Sequence, residues 1–176
     1  MTKTTVFKGL KFVCISAVLA LSAFAVLSEN YGLKSVAAGG SAAVLSGLGK
    51  FSQATYSAPN PLMVFPDFTA EIVDYCSGAV EIAILFGIIL ASDDRSIKTR
   101  LLGFFVGVLF VLTFNILRIS TTLFFYSPST PVISAIFHDL LFRASLVVFV
   151  ATYYAVWYFW GITAKTGKPR NSLKRS

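Results

Sequence analysis

Apolar residues form four long runs along this chain, and polar or basic segments separate them. The runs cover residues 12–28, 72–91, 101–126 and 132–162. A helix needs about 20 consecutive, mostly apolar residues to cross the hydrocarbon core of a bilayer. The pattern therefore predicts an all-α integral membrane protein with about four transmembrane helices. The last two runs exceed one span, so we expect them to tilt or to protrude.

The longest interruption, residues 29–71, contains its own pattern. Residues 35–49 are rich in Ala, Gly and Ser, which predicts either an interfacial helix or a mobile loop. Residues 62–65 and 69–73 flank a Pro-Asp pair, and this arrangement predicts a short hairpin at the membrane surface. Asp74 follows directly and is expected to cap the second span.

Composition and charge support the membrane assignment and give it a direction. The chain is 56% hydrophobic and 13% charged, which is more apolar surface than a soluble domain of this length would hide. Residues 1–11, 92–100 and 163–176 hold 11 of the 15 basic residues. Cytoplasmic flanks concentrate Lys and Arg, so both termini should be cytoplasmic and the protein a multi-pass plasma-membrane protein. Basic residues beside anionic lipid are poor evidence for nucleic acid, and we expect no such partner.

The first run and the cysteines each leave a question. A basic start, an apolar stretch and small residues near its end are also typical of a signal peptide. We expect an uncleaved helix, and cleavage would leave three spans and the same site.

Cys14 and Cys76 form no CxxC pair, and the chain has one histidine. We therefore expect neither a metal nor a cofactor.

Conspicuous polar side chains lie inside the second, third and fourth runs. A charge at such depth is costly and usually faces a bundle interior or a water-filled cleft. Counting about 1.5 Å per residue from the outer helix ends places a thiol, a guanidinium and an imidazole near one outer-leaflet layer. The residues of this group are Cys76, Glu81, Asn115, Arg118, His138, Asp139 and Arg143.

These residue types in one layer favour acyl transfer through a thioester. Cys76 precedes a predicted helix, whose dipole favours a thiolate. Arg118 would stabilise that thiolate and then the oxyanion of a tetrahedral intermediate. His138 would carry the proton to the leaving amine. Gly78 would let a substrate backbone approach closely.

Plainer interpretations exist for each residue. A single cysteine in an apolar helix is usually a small buried hydrophobe. Asp139 and Arg143 are four residues apart and would form an ordinary intrahelical pair. Glu81 would simply neutralise Arg118 or Arg143.

At these positions the chain resembles the exosortase/archaeosortase family of membrane transpeptidases. The family pattern has a Cys-Ser/Thr-Gly motif, an Asn-x-x-Arg motif and then a His or Arg near the outer ends of successive helices. Here these read Cys76-Ser77-Gly78, Asn115-Ile116-Leu117-Arg118 and Phe137-His138-Asp139. The resemblance covers residues 60–145, and the chain is most similar to a compact, archaeosortase-like member.

The resemblance implies an enzyme that cleaves secreted proteins at a C-terminal signal made of a motif, a transmembrane helix and a basic cluster. The product would be joined to a lipid or another membrane acceptor, on the extracytoplasmic side. Cys76 would be the nucleophile, Arg118 the family arginine, and His138 the third position, with Arg143 as its rival. The alternative is a non-catalytic membrane subunit of an export or polysaccharide-assembly system. A small transporter fits less well, because the polar layer stays in the outer half.

Overall fold

The structure, a computed structural model, describes residues 3–50, 52–93, 95–126, 136, 140 and 148–159. Most of them are helical, as predicted. The helices are α1 (Lys3–Leu27), α2 (Tyr31–Gly47), α3 (Ala79–Leu90), α4 (Ile97–Phe125) and α5 (Val148–Phe159). By length and composition α1 and α4 can cross a membrane, and α3 and α5 are shorter apolar helices.

Three short strands lie between α2 and α3. They are β1 (Gln53–Thr55), β2 (Leu62–Val64) and β3 (Thr69–Glu71), in the antiparallel order β1-β2-β3. The predicted hairpin is confirmed, since Met63 pairs with Ala70 across β2 and β3. Strand β1 was not predicted, and it adds a third strand through the pairing of Ala54 with Met63.

Residues 35–49, which were predicted to form either an interfacial helix or a mobile loop, are mostly helical and belong to α2. Asn30 caps its start by accepting from the Leu33 amide at 3.1 Å. The Ala and Ser side chains of one face are buried against α4, and Ser41 Oγ donates to the Ile116 carbonyl at 3.3 Å. Past its end, Lys50 Nζ donates to the Leu123 carbonyl at 2.6 Å. Helix α2 therefore covers the C-terminal half of α4.

Helices α3 and α4 form the second packed unit. Leu85 and Ile89 of α3 are fully buried together with Val111 of α4. Helix α1 packs along α3, where Gly87 lets the backbone of Ser16 approach. The rest of α1 faces outwards, with only 6% of its most apolar window buried. Its apolar outer surface is what a lipid-facing helix presents.

The basic residues of α1 and of the start of α4 lie at one end of the bundle, here called the basic face, whereas Lys34 and Arg118 are buried elsewhere. It comprises the start of α1, the end of α3, the start of α4 and the end of α5. Lys11 lies 3.9 Å from Asp93, and Arg100 Nη1 donates to the Leu90 carbonyl at 2.9 Å. Arg95 Nη2 donates to the Tyr158 carbonyl at 2.6 Å. The Arg95 and Arg100 contacts join the ends of α3, α4 and α5, and Lys11 of α1 lies beside them.

Candidate active site

Cys76 lies in a single 3₁₀ turn, Asp74–Cys76, directly before α3. The Cys76 amide donates to the Val73 carbonyl at 2.9 Å. Ser77 Oγ donates to the Asp74 carbonyl at 2.6 Å and accepts from the Ala79 amide at 3.2 Å. The turn is therefore held by its own backbone and by the serine of the Cys-Ser-Gly motif.

One expectation about this turn needs correction. Asp74 was expected to cap the second span, but the cap of α3 is Gly78, and Asp74 instead begins the 3₁₀ turn. The role of Gly78 in making room for a substrate backbone stays a prediction. Gly78 has φ +85°, a left-handed conformation that side chains rarely adopt, so the chain direction at the helix start already requires glycine.

The Asn-x-x-Arg motif of α4 reaches the turn from the side. Asn115 is buried and its Nδ2 donates to the Cys76 carbonyl at 2.8 Å. A hydrogen bond between residues 39 positions apart fixes the turn against α4. Asn115, predicted only as a supporting residue, thus touches the backbone of the candidate nucleophile.

Arg118 lies one turn further along α4 and pairs with Glu81 of α3. Arg118 Nη1 is 3.5 Å from Glu81 Oε1, and the two side chains are 6% and 7% exposed. Of the two interpretations of Glu81, the described residues support the pair with Arg118. Such burial is costly for an isolated charge, so each of the two groups depends on the other.

A small cavity lies beside this pair and brings α5 into the site. Its wall includes Glu81, Asn115 and Arg118, together with Phe149 of α5. Among the described residues, Glu81 Oε2 and Asn115 Oδ1 accept no hydrogen bond. The site therefore offers two buried acceptor oxygens beside a guanidinium.

The thiol itself is half-buried and packs against the core formed by α2 and the strands. Cys76 precedes α3 and lies outside that helix. Burial raises the pKa of the Cys76 thiol, and the nearby Arg118 guanidinium opposes this without cancelling it. Burial therefore favours the neutral thiol over the thiolate that was expected from a helix terminus, and two residues separate Cys76 from the first residue of α3.

Sequence reasoning missed a buried lysine behind the turn. Lys34 of α2 is 5% exposed, and its Nζ donates to Asn60 Oδ1 at 2.7 Å and lies 2.9 Å from Asp74 Oδ1. Asn60 in turn donates to Glu71 Oε1 at 2.6 Å. Lys34 thereby connects α2 to β3, through Asn60, and to the turn at Asp74. Asp74 lies two residues before Cys76. The available signal was a lone charge ahead of an uncharged stretch, residues 35–49.

The other three predicted site residues, His138, Asp139 and Arg143, lie outside the described residues, so their roles stay predictions. Of the predicted set, Cys76, Gly78, Glu81, Asn115 and Arg118 are brought together.

The fold and site define an α-helical membrane protein with a cysteine turn held against a buried Glu-Arg pair. The family model described as transmembrane exosortase (Exosortase_EpsH) matches residues 3–158, and the chain belongs to this family. A search of curated proteins and a search of solved structures found no match. The match spans every described helix, except the last residue of α5.

Proposed function

We propose that this chain is a membrane-embedded cysteine transpeptidase that cleaves C-terminal sorting signals of secreted proteins. Membership of the exosortase family supports a membrane transpeptidase or protease. The single observation that supports the assignment of residues is the hydrogen bond from Asn115 to the Cys76 carbonyl. It joins two motifs that are far apart in sequence at one point, and the charged residue Arg118 lies one helical turn beyond Asn115.

In the proposed reaction the Cys76 sulfur attacks the carbonyl carbon of the scissile peptide bond. Because burial favours the neutral thiol, its proton must leave as the carbon–sulfur bond forms, so a base is required. His138 is the proposed base; Arg143, the rival for the third position, is always protonated and would instead stabilise negative charge. The tetrahedral oxyanion is stabilised by the Arg118 guanidinium.

Collapse of the intermediate breaks the carbon–nitrogen bond. The departing amine takes the proton, and the new C-terminus stays on Cys76 as a thioester. A nucleophile on a lipid or another membrane acceptor then attacks the thioester carbonyl; the new bond to the acceptor forms, the carbon–sulfur bond breaks, and the proton of the nucleophile restores the Cys76 thiol. Glu81 keeps Arg118 in place, and Lys34 and Asn115 position the turn.

The proposed orientation puts this chemistry on the extracytoplasmic side. Arg118 lies in the C-terminal third of α4, whereas the basic face lies at the start of α4. About 20 residues at about 1.5 Å per residue separate the two, which is close to the thickness of the hydrocarbon core. Since cytoplasmic flanks are basic, the cysteine turn faces outwards. A cleavage motif just outside a substrate's own helix would meet Cys76 at that depth.

The test is a processing assay in membranes with the chain's other cysteine as the control. Candidate secreted proteins ending in motif, helix and basic cluster are co-expressed with wild type, Cys76→Ala or Cys14→Ala. Cys14 is exposed on α1, distant in sequence from the turn. We expect Cys76→Ala to abolish cleavage and Cys14→Ala to leave it unchanged, with a substrate adduct on Cys76 seen by mass spectrometry. Normal processing by Cys76→Ala would reject the proposal and favour the non-catalytic subunit.

A further inference from the structure

A second cavity lies at the opposite end of the molecule from the cysteine turn. It has a volume of about 590 Å³, within the range of ligand-binding pockets. It opens at the basic face, between the start of α1, the end of α3 and α5. The residues that line it are Lys8, Lys11, Phe12, Ile15, Ala91, Ser92, Asp93, Tyr154 and Tyr158.

The wall of this cavity is ordered by depth. Lys8 and Phe12 are four residues apart on α1, as are Lys11 and Ile15, so each ammonium group lies one turn outside an apolar side chain. On α5, Tyr154 and Tyr158 are also four residues apart, so they lie one above the other on the same face of that helix. A cationic rim over an apolar floor is complementary to a molecule with an anionic head and a hydrocarbon tail.

The charged side chains at the rim of the cavity determine the sign of its net charge. Ser92 Oγ donates to the Ile88 carbonyl at 2.8 Å and lies 3.0 Å from the Tyr154 hydroxyl, so both hydroxyl protons are used within the protein and the attraction for an anion comes from the two lysines. Among the described residues that line the cavity, Asp93 is the one acidic residue; it lies 3.9 Å from Lys11 and is 73% exposed. Two lysines against one aspartate leave this described part of the rim positive, and Asp93 opposes an anion there.

From this arrangement we infer that the cavity binds one anionic phospholipid of the cytoplasmic leaflet. The inference rests on the membrane orientation proposed above and does not depend on the activity of Cys76. Anionic lipids are concentrated in that leaflet, and basic pockets between helices bind their head groups. A lipid seated there contacts α1, α3 and α5 at once, so it holds α1, whose surface is mostly outward-facing, against the bundle.

The expected effects follow from the rim. Each lysine near an anionic head group contributes about fivefold in affinity, so Lys8→Gln with Lys11→Gln should lower affinity about twenty-fivefold. Asp93→Asn should raise it about fivefold by removing the opposing charge. Lys98→Gln is the matched control, because Lys98 is an exposed lysine near the same face that does not line the cavity.

The experiment uses the full-length chain in detergent, titrated with phosphatidylglycerol or phosphatidylcholine, with retained lipids counted by native mass spectrometry. We expect wild type to retain one phosphatidylglycerol in preference to phosphatidylcholine, with the variants ordered as above. Circular dichroism verifies that each variant keeps its helices. Equal retention of the two lipids would overturn the inference, as would an equal loss in Lys98→Gln, which would indicate diffuse attraction. Displacement by glycerol 1-phosphate at the same concentration would assign the site to free phosphate and would also overturn it.

Discussion

Glu81→Gln and Arg118→Gln each remove one partner of the buried ion pair, and the structure sets the size of the effect. At a separation of 3.5 Å and an effective dielectric constant of about 20, the two charges attract by roughly 5 kcal/mol. Breaking a buried pair on one side usually costs about 3–5 kcal/mol, because the remaining charge stays buried. Each single variant should therefore be destabilised by that amount.

The double variant distinguishes a coupled pair from two independent residues. It removes both charges, so its loss of stability should be smaller than the sum of the single losses by about 3 kcal/mol. The assay is reversible unfolding in mixed detergent micelles, followed by circular dichroism. If the two single-variant losses of stability sum to the loss of the double variant within about 0.5 kcal/mol, the two residues are not coupled and the reasoning is refuted.

A surface pair provides the control for this cycle. Lys11 and Asp93 lie 3.9 Å apart, but their side chains are 58% and 73% exposed. Exposed pairs contribute little, so Asp93→Asn without anionic lipid should change stability by less than about 1 kcal/mol. Activity adds a second readout: the folded fraction of Glu81→Gln should still process substrate, whereas Arg118→Gln should not.

Three further predictions concern the cysteine turn and the helix packing. Asn115→Leu removes the hydrogen bond to the Cys76 carbonyl and should slow processing at least about tenfold. The control Thr113→Val, on the exposed face of the same helix, should not slow it. Equal processing rates in the two variants would exclude a positioning role for Asn115. Because burial raises the pKa of Cys76, the rate of Cys76 alkylation should rise with pH, with a midpoint above about 8.5. The measurement uses Cys14→Ala, so that Cys76 is the thiol that reacts. A midpoint near pH 7 would show a resting thiolate instead. Gly87→Ala would press a methyl group against the α1 backbone and should cost about 1–3 kcal/mol of unfolding free energy, whereas an effect as small as a surface substitution would argue against close packing of α1 on α3.

The membrane helices and the members of the site were accessible from sequence because both depend on local rules. A long apolar run must be helical where no water can satisfy its backbone, which is why α1 and α4 could be predicted. The hairpin of β2 and β3 followed from turn residues between two short apolar segments. Cys76, Asn115 and Arg118 stood out because polar groups in such runs are rare and costly.

Other features had no local signal. The Ala-, Gly- and Ser-rich residues of α2 give little hydrophobic contrast, so their burial follows from the contact with α4 at Ile116. Strand β1 exists because β2 offers it a partner. The role of Lys34 likewise depends on Asp74, which is 40 positions away in sequence.

The sequence by itself determined a helical membrane protein with most of its basic residues in three segments and a short list of chemically active side chains. It did so because hydrophobic length, charge asymmetry and rare buried polar groups are properties of the chain alone. Only the tertiary structure decided what those side chains do to one another. The partner of Arg118, the hydrogen bond that holds Cys76 and the raised pKa of its thiol all depend on burial and on distances between α2, α3 and α4. Distances between separate helices are set by packing, which no local pattern encodes.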